Sequence, residues 1–394
     1  MGLPLHKLDL SLYRRVQESI DGCVKCGLCL SVCPTFEAIL GKDFGGPRYL
    51  SVELQRHLVE LGRVAYDASY LCTVCRRCEF VCPSGVATPA AVLFLRQLLK
   101  QLVPSRDVVG GVAEGLRALI EYGNPYFAES SAREEWLREI GGEAGGKGDV
   151  LGWIGCTLSL RLPEVARSFY LFMRRALGEE FVVLGEREGC CGKPAMLLGG
   201  REEALELAKR CSRAIEESGA RVLVTPCPAC YSSFKVEYGE VYGVDLPTSR
   251  ILHFAEFAKE LLDRGRISLK KPEGVPEVVA YHDPCELGRG LGVYDEPREV
   301  LEAVPGIRVV EFDERREDSR CCGGGGGMFG IYPEVSMAIA AKRLREALER
   351  GASAVVTCCP ACIMNFKYAA INYEIPVGVL GLSQVLERAL ASRA

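Results

Sequence analysis

Two runs of four cysteines at identical spacing constrain the fold of this chain more than any other feature. Each run reads Cys-x2-Cys-x2-Cys-x3-Cys-Pro, at residues 23–34 and again at residues 72–83. In such runs three closely spaced thiolates hold one 4Fe-4S cubane, and the fourth cysteine, before the proline, ligates the other cluster. The sequence therefore predicts two cubane clusters, one held by Cys23, Cys26, Cys29 and Cys82, the other by Cys72, Cys75, Cys78 and Cys33.

Zinc sites and disulfides are the alternatives for these eight cysteines. Zinc prefers two pairs of ligands around a longer spacer, which does not match a run of four. The N-terminus has no basic stretch followed by an apolar core, so the twenty cysteines indicate metal binding rather than disulfides. A shortage of Asn and Gln, typical of thermophilic proteins, keeps disulfides open, since intracellular hyperthermophilic proteins can contain many.

The segment between the two runs is too long for the short hairpin of a minimal ferredoxin. A helical pattern at residues 49–61 lies in it, and apolar residues at helical spacing predict two further helices at 90–102 and 108–120. We therefore expect a mostly helical two-cluster domain over residues 1–140.

After the glycine-rich segment 140–148, the pattern changes to alternating strand and helix signals, and a second cysteine arrangement appears twice. Each copy has one cysteine, then a Cys-Cys-Gly triplet, then Cys-Pro-Ala-Cys, and residues 225–235 match 357–367 at seven of eleven positions. An internal duplication usually builds a pseudo-symmetric pair of lobes. The predicted fold class is therefore α+β multidomain, with α/β domains at 149–270 and 275–394 after the helical domain.

Strand signals precede the cysteines of both copies, at residues 150–154, 222–225, 278–281 and 354–357. A strand-to-helix turn would place the sulfurs at the carboxyl end of a parallel sheet, where the helix N-terminus stabilises thiolates. Glycines 323–327 would let the backbone approach a bulky cofactor. Five cysteines from three loops could form a metal cage, whereas a thioredoxin-like interpretation makes the Cys-Pro-Ala-Cys pairs dithiols and the vicinal pairs strained disulfides.

This arrangement resembles the heterodisulfide reductase D-type subunit, which fuses a two-cluster ferredoxin module to two cysteine-rich CCG domains. It is similar, less closely, to iron-sulfur subunits of anaerobic glycerol-3-phosphate, glycolate and lactate dehydrogenases, which often lack part of one cysteine set. The D-type resemblance implies a noncubane 4Fe-4S cluster in each set of five, with the two clusters facing each other across a disulfide substrate. The implied ligands are Cys156, Cys190, Cys191, Cys227 and Cys230 in the first set and Cys285, Cys321, Cys322, Cys359 and Cys362 in the second.

The resemblance implies an oxidoreductase that reduces a low-molecular-weight disulfide to two thiols with electrons relayed through the cubanes. The alternative is a non-catalytic relay from a flavin-linked 2-hydroxy-acid or glycerol-3-phosphate dehydrogenase to quinone. Expected partners are a b-type cytochrome, a flavoprotein dehydrogenase or a hydrogenase module. The formal net charge of −4 argues against nucleic acid, and the absence of a long apolar run predicts a cytoplasmic protein, or one peripheral on the inner face of the membrane through a partner.

Four further positions attract attention without being required by the repeat. Cys358 adjoins the second Cys-Pro-Ala-Cys, but the first copy has proline there, and Cys211 lies in a helix predicted at 202–217; we expect neither to be a ligand. His282, with Asp283, could deliver a proton to a leaving thiolate or satisfy hydrogen bonds at a strand end. Lys193 could steer an anionic substrate or be solvated.

Overall fold

The N-terminal part of the chain is helical. The structure, a computed structural model, describes residues 10–41, 44–53, 67–102, 111–248 and 250–391. The N-terminal helices are Leu10–Ile20, Leu28–Ser31, Pro34–Ala38, Gly46–Arg48, Arg77–Phe80, Thr88–Leu102, Val112–Glu121 and Glu135–Arg138, with a wide π-type turn at Tyr49–Glu53 and a 3-10 turn at Ser130–Glu134.

Two of the three helices predicted here can be compared with the structure. The helix predicted at 90–102 is Thr88–Leu102, and its apolar stripe is buried in one core with the helix Val112–Glu121. That second helix corresponds to the prediction at 108–120, of which residues 108–110 lie outside the described residues. The helix predicted at 49–61 is described only over its first five residues, because residues 54–66 also lie outside them.

The second half of the chain forms two four-stranded sheets, and every strand pair in them is parallel. The first contains β1 Val150–Gly152, β2 Phe181–Val183, β3 Val222–Thr225 and β4 Arg250–His253 in the order β2-β1-β3-β4. The second contains β5 Val278–His282, β6 Arg308–Val310, β7 Ala354–Thr357 and β8 Gly378–Gly381 in the order β6-β5-β7-β8. The identical strand order shows that the duplicated sequence builds a duplicated fold.

Helices connect and cover these strands. In the first copy they are Cys156–Arg161, Pro163–Leu177, Lys193–Leu197, Arg201–Ser218, Pro228–Ser232, Tyr238–Glu240 and Phe254–Asp263, with a π-type turn at Ser233–Glu237 and 3-10 turns at Gly178–Glu180 and Gly185–Arg187. In the second copy they are Gly288–Leu291, Glu296–Glu302, Met328–Ile331, Pro333–Glu349, Pro360–Asn372 and Leu382–Ala389, with a 3-10 turn at Arg316–Asp318. Among the described residues, no helix combines the length and apolar character needed to span a bilayer.

One continuous apolar core joins the two copies. The helix Pro163–Leu177 packs on Leu382–Ala389, and the equivalent pair, Phe254–Asp263 and Glu296–Glu302, packs in the same way. Because each contact is made by corresponding elements of opposite copies, the interface has pseudo-two-fold symmetry. The copies therefore hold their cysteine loops in a fixed relation.

Candidate iron-sulfur and redox sites

The two ferredoxin-type runs share one unusual backbone conformation. Lys25 and Gly27 of the first run have positive φ, and so do Val74 and Arg76 at the equivalent positions of the second. The left-handed region is unfavourable for a β-branched residue such as Val74, so the surroundings must hold it there. Each loop therefore wraps its own cysteines around one point, and the two loops do so in the same way.

The structure brings together the four cysteines predicted for the first cubane. The pKa of Cys29 is raised by burial, and also by the neighbouring Cys23, Cys82 and Cys26. A cavity of about 410 Å³, partly open to solvent, lies between these residues, and Cys26 is exposed. We call this group, Cys23, Cys26, Cys29 and Cys82, the outer site.

The other predicted set also converges. Burial, followed by the proximity of Cys75, Cys72 and Cys33, raises the pKa of Cys78, and these four cysteines line a cavity of about 360 Å³. Each site thus takes its last cysteine from the opposite run, as the motif predicts. We call Cys33, Cys72, Cys75 and Cys78 the inner site, because Cys75 and Cys78 are buried.

The five cysteines of the first copy form a continuous chain of sulfur contacts. It runs from Cys156 to Cys190, then to Cys191, Cys230 and Cys227. Donation from the thiols of Cys190 and Cys230 holds the pKa of Cys191 well below its usual range. We call this set the first pentad.

The second copy repeats this arrangement. Its contacts run from Cys285 to Cys321, Cys322, Cys362 and Cys359. The thiols of Cys321 and Cys362 lower the pKa of Cys322 to about 5. In this set, the second pentad, as in the first, contacts with neighbouring thiols thus lower the pKa of the second cysteine of the vicinal pair, which favours the thiolate form that binds a metal.

Different side chains anchor the vicinal pair in each copy. The Tyr238 hydroxyl donates to the Cys191 carbonyl at 3.1 Å, whereas the Asn365 amide donates to the Cys322 carbonyl at 2.6 Å. Cys211 is buried in the helix Arg201–Ser218, where its thiol donates to the Cys190 carbonyl at 3.1 Å. Its predicted role outside the ligand set is compatible with this contact and stays a prediction.

Cys358 does not join the chain of contacts in the second pentad. Its thiol lies 3.6 Å from the Tyr281 hydroxyl, and burial raises its pKa to about 12. The neighbouring Cys359 instead contacts Cys362, and that contact, together with backbone N–H groups at the start of the next helix, lowers its pKa. The expectation that Cys359 rather than Cys358 is the ligand agrees with this geometry and remains to be tested.

The inner site touches the second pentad directly. The Cys75 and Cys321 thiols interact, and their interaction raises the pKa of Cys75 and lowers that of Cys321. Arg289, 4% exposed, braces this contact by donating to the carbonyl of Cys75 at 2.7 Å and to those of Glu317 and Ser319. Sulfur groups of the helical domain and of the second copy are therefore adjacent.

The glycine run in the second copy serves this contact. A Cβ on Gly326 would lie 2.3 Å from the Cys72 carbonyl oxygen, and one on Gly325 would lie 2.8 Å from that of Thr73. These glycines let the ferredoxin-type loop approach. The expectation that the glycine run also lets the backbone approach a bulky cofactor stays a prediction.

Lys193 lies between the two copies. It is 4% exposed, and its Nζ is 2.6 Å from Glu237 and 2.7 Å from Glu286, the residue after Cys285. Burial alone would lower the pKa of Lys193, but the two carboxylates outweigh it and raise that pKa. Lys193 is thus not solvated, and its matched charge weakens the idea that it steers an anionic substrate.

The His282–Asp283 pair divides into two different environments. The Asp283 carboxylate receives two hydrogen bonds from the buried Arg298, at 2.6 and 2.8 Å, so it is satisfied as a strand-end residue would be. His282 is fully buried, and burial followed by nearby Arg343 lowers its pKa to about 3. Among the described residues, neither nitrogen of its ring has a hydrogen-bond partner.

The sulfur sets suit iron-sulfur groups in the number and softness of their ligands. All twenty cysteines lie in the described part of the chain, and each has a free thiol. Clustered thiolates are the ligands that iron-sulfur clusters take, in fours at cubanes. The outer and inner sites match that requirement, and the pentads offer one sulfur more.

Comparison with known proteins gives the same division of the chain. Residues 19–86 match the 4Fe-4S dicluster domain, and residues 150–235 and 279–367 each match the cysteine-rich domain CCG. A structure of a hypothetical protein from Helicobacter pylori has a similar fold, with a TM-score of 0.62 and 11% identity over 98% of this chain and 73% of that one.

Curated relatives are similar over most of the chain. The D-type subunit of the dihydromethanophenazine:CoB--CoM heterodisulfide reductase of Methanosarcina barkeri is 30% identical over 88% of both chains. The B-type subunit of the fumarate reductase (CoM/CoB) of Methanothermobacter marburgensis is 29% identical over 89% of this chain and 68% of the relative. EtfAB:quinone oxidoreductase of Syntrophomonas wolfei is 26% identical over 94% of this chain and 58% of the relative. The chain is therefore an iron-sulfur oxidoreductase subunit and belongs to the family of heterodisulfide reductase D-type subunits.

Proposed function

We propose that this chain is a catalytic subunit that reduces a low-molecular-weight mixed disulfide to two thiols. The balanced reaction adds two electrons and two protons to one S–S bond and releases two thiols. The electrons come from a reduced redox partner, such as a b-type cytochrome, a flavoprotein or a hydrogenase module. Bound iron-sulfur groups would supply one-electron storage at each sulfur set, and the pentads would hold noncubane 4Fe-4S groups.

The contact between Cys75 and Cys321 is the observation that carries this proposal. It makes the helical domain and the second pentad neighbours within one polypeptide. Because Cys26 of the outer site is exposed while Cys75 is buried, electrons would enter at the outer site and pass inward. We infer that three domains, at residues 1–140, 149–270 and 275–394, are the units along this path.

The position of Lys193 supports a shared reaction centre. It joins the loop after the first vicinal pair to Glu286, directly after the first cysteine of the second pentad. The two pentads therefore adjoin the same buried ion cluster, so both can act on one substrate. The name of the Methanosarcina relative, which specifies a heterodisulfide reductase, supports the same reaction class.

A relay without disulfide chemistry is the second candidate. It is favoured by the similarity to a protein named EtfAB:quinone oxidoreductase. In that case a flavin-linked 2-hydroxy-acid or glycerol-3-phosphate dehydrogenase would reduce the outer site, and quinone would accept the electrons.

The test uses the full chain, prepared anaerobically, with reduced viologen dye and a panel of mixed disulfides of cofactor thiols. Thiol release is measured together with dye oxidation. We expect turnover without a partner, and we expect Cys191→Ser and Cys322→Ser each to abolish it rather than halve it, because groups that act on one bond are strongly non-additive.

Cys358→Ala is the matched control, because it removes a buried thiol next to the second pentad that contacts Tyr281. It should retain turnover and iron. Half activity in either pentad variant would contradict joint action at one bond. Failure with every disulfide, combined with full reduction of the chain by a flavin dehydrogenase, would favour the relay.

A further inference from the structure

One position of the duplicated fold has an aromatic N–H group in both copies. The strand register places Val150 against Val222 in the first sheet and Val279 against Ala354 in the second. Counting onward from these equivalent strands, Trp153 and His282 correspond. Each lies three residues before the first cysteine of its pentad.

His282 lies against the second pentad. One of its ring nitrogens and the sulfur atoms of Cys322 and Cys362 lie within 4.8 Å of one another. The ring is fully buried, and no described residue forms a hydrogen bond with either nitrogen. A buried polar group without a partner is destabilising, so a partner at the sulfur side would remove this cost.

Trp153 occupies the equivalent position beside the first pentad. It is fully buried in the same packed cluster as Cys191 and Cys230, and its indole nitrogen also lacks a hydrogen-bond partner among the described residues. Its ring packs edge-on against Phe234 at 5.0 Å and 80°. His282 packs against the equivalent Phe366 at 4.9 Å and 86°, so the two rings are oriented alike.

An indole nitrogen can donate a hydrogen bond but cannot accept one or bind a metal as a neutral ring. The property that Trp153 and His282 share is therefore donation. We propose that Trp153 and His282 donate N–H hydrogen bonds to sulfur atoms of the iron-sulfur groups held by the first and second pentads, respectively.

This arrangement adjusts the reduction potentials of the two pentads through separate residues. Hydrogen bonds to cluster sulfur favour the more reduced and more negative state, and so raise the reduction potential. The inference depends on iron-sulfur groups in the pentads but not on disulfide reduction. Its failure would therefore leave the proposed reaction untouched.

The first experiment needs no substitution in the residue of interest. The full chain is produced with 15N-histidine, of which the sequence has four residues, and studied by pulsed electron paramagnetic resonance. The second-pentad signal is identified as the one lost in Cys322→Ser. We expect it to show weak nitrogen coupling and an exchangeable proton, whereas the strong coupling of a direct iron ligand, or no coupling, would overturn the role of His282.

The second experiment compares reduction potentials in substituted chains with equal iron content. His282→Phe and Trp153→Phe keep an aromatic ring but remove the N–H, so each should shift only its own pentad signal to a more negative potential. His282→Trp and Trp153→His keep a donor and should shift it less. Unchanged potentials in the phenylalanine variants, or equal shifts at all four sites, would show a packing role and overturn the proposal.

Discussion

The two pentads have the same cysteine spacing and strand order, yet their environments differ. The second pentad contacts the inner site through Cys321 and has the buried cation Arg289 beside it. The first copy has Leu160 at the position of Arg289, four residues after the first cysteine. Duplication thus preserved the sulfur sets, whereas the residues around them made one pentad the neighbour of the inner site.

The loops before the first cysteines differ in a coordinated way. Glu188 in the first copy accepts hydrogen bonds from the backbone N–H groups of Ile154, at 2.8 Å, and Gly155. The second copy has Pro284 in place of Gly155 and Ser319 in place of Glu188. Since proline has no N–H group, one of the two donors that Glu188 binds is missing there. The surroundings of the first cysteine therefore differ between the copies, which makes a substitution in one copy informative about that copy.

The largest expected effect is that of replacing Lys193, whose counterpart in the second copy is Gly324. Lys193→Met would leave Glu237 and Glu286 without their cation in a buried position. Removing one partner of a buried ion cluster costs about 3–5 kcal/mol, so we expect the free energy of unfolding to fall by that amount in denaturant titrations of the anaerobic, iron-loaded chain.

Lys342→Met is the control for Lys193, because its pair with Glu37 is exposed, with 43% and 46% of the two side chains accessible. Exposed pairs are worth about 0–1 kcal/mol. Replacing both Glu237 and Glu286 by glutamine in the Lys193→Met chain should restore part of the loss. Equal effects of the two lysine substitutions would mean that the bridge between the copies is not structurally important.

Gly326→Ala tests what distinguishes the second copy, since the first copy already has Ala195 at this position. The new Cβ would collide with the Cys72 carbonyl in a left-handed backbone, φ +64. Backbone strain of about 1–2 kcal/mol and overpacking of about 1–3 kcal/mol should together lower the free energy of unfolding by about 2–5 kcal/mol. Reduction of the second pentad should also become slower, which is measured by freezing samples rapidly at different times and recording its signal.

Gly351→Ala separates strain from collision. Its φ of +75 is comparable, but a Cβ there meets nothing within 4 Å. It should lose about 1–2 kcal/mol and leave the reduction rate unchanged. If Gly326→Ala behaved in the same way, the close approach of the inner site to the second pentad would not determine the electron path.

Much of the fold could be predicted because its signals are local. The strands 222–225 and 354–357 were predicted with exact bounds, since runs rich in β-branched residues end one residue before Cys-Pro-Ala-Cys. The strand expected at 150–154 ends earlier, at Gly152, where the chain turns toward Cys156. Local patterns likewise indicated which cysteines converge, because motif spacing fixes the loop geometry.

What could not be predicted depends on contacts between distant segments. Arg289 lies in an ordinary stretch of sequence, and only the packing of the helical domain against the second copy places it beside Cys75. The pairing of Lys193 with Glu286 spans 93 residues and leaves no periodic signal. The equivalence of Trp153 and His282 could have been found by aligning the two copies on their first cysteines.

The smallest expected effect is the pH dependence that His253 contributes in the first copy. His253 ends β4 and corresponds to Gly381 at the end of β8. The backbone N–H of each residue donates to a side chain three residues later: that of His253 to Glu256 at 2.8 Å, and that of Gly381 to Gln384 at 2.9 Å. His253 is fully buried, and burial lowers its pKa to about 3. Its Nδ1 accepts a hydrogen bond from the N–H of Ala255.

Because the folded pKa of His253 lies below the unfolded value of about 6.5, the unfolded chain binds more protons between these values, and stability falls as pH drops through this window. Between pH 7.5 and 5.5 one such histidine contributes a loss of about 1.4 kcal/mol. His253→Asn keeps a side chain that can accept from Ala255 but does not titrate. We therefore expect its stability relative to the unsubstituted chain to improve by about 1.4 kcal/mol as the pH falls from 7.5 to 5.5, measured by thermal unfolding at both pH values. A difference that does not change with pH would mean that His253 has the same pKa in the folded and unfolded chains, and any acid sensitivity would then have to come from other groups.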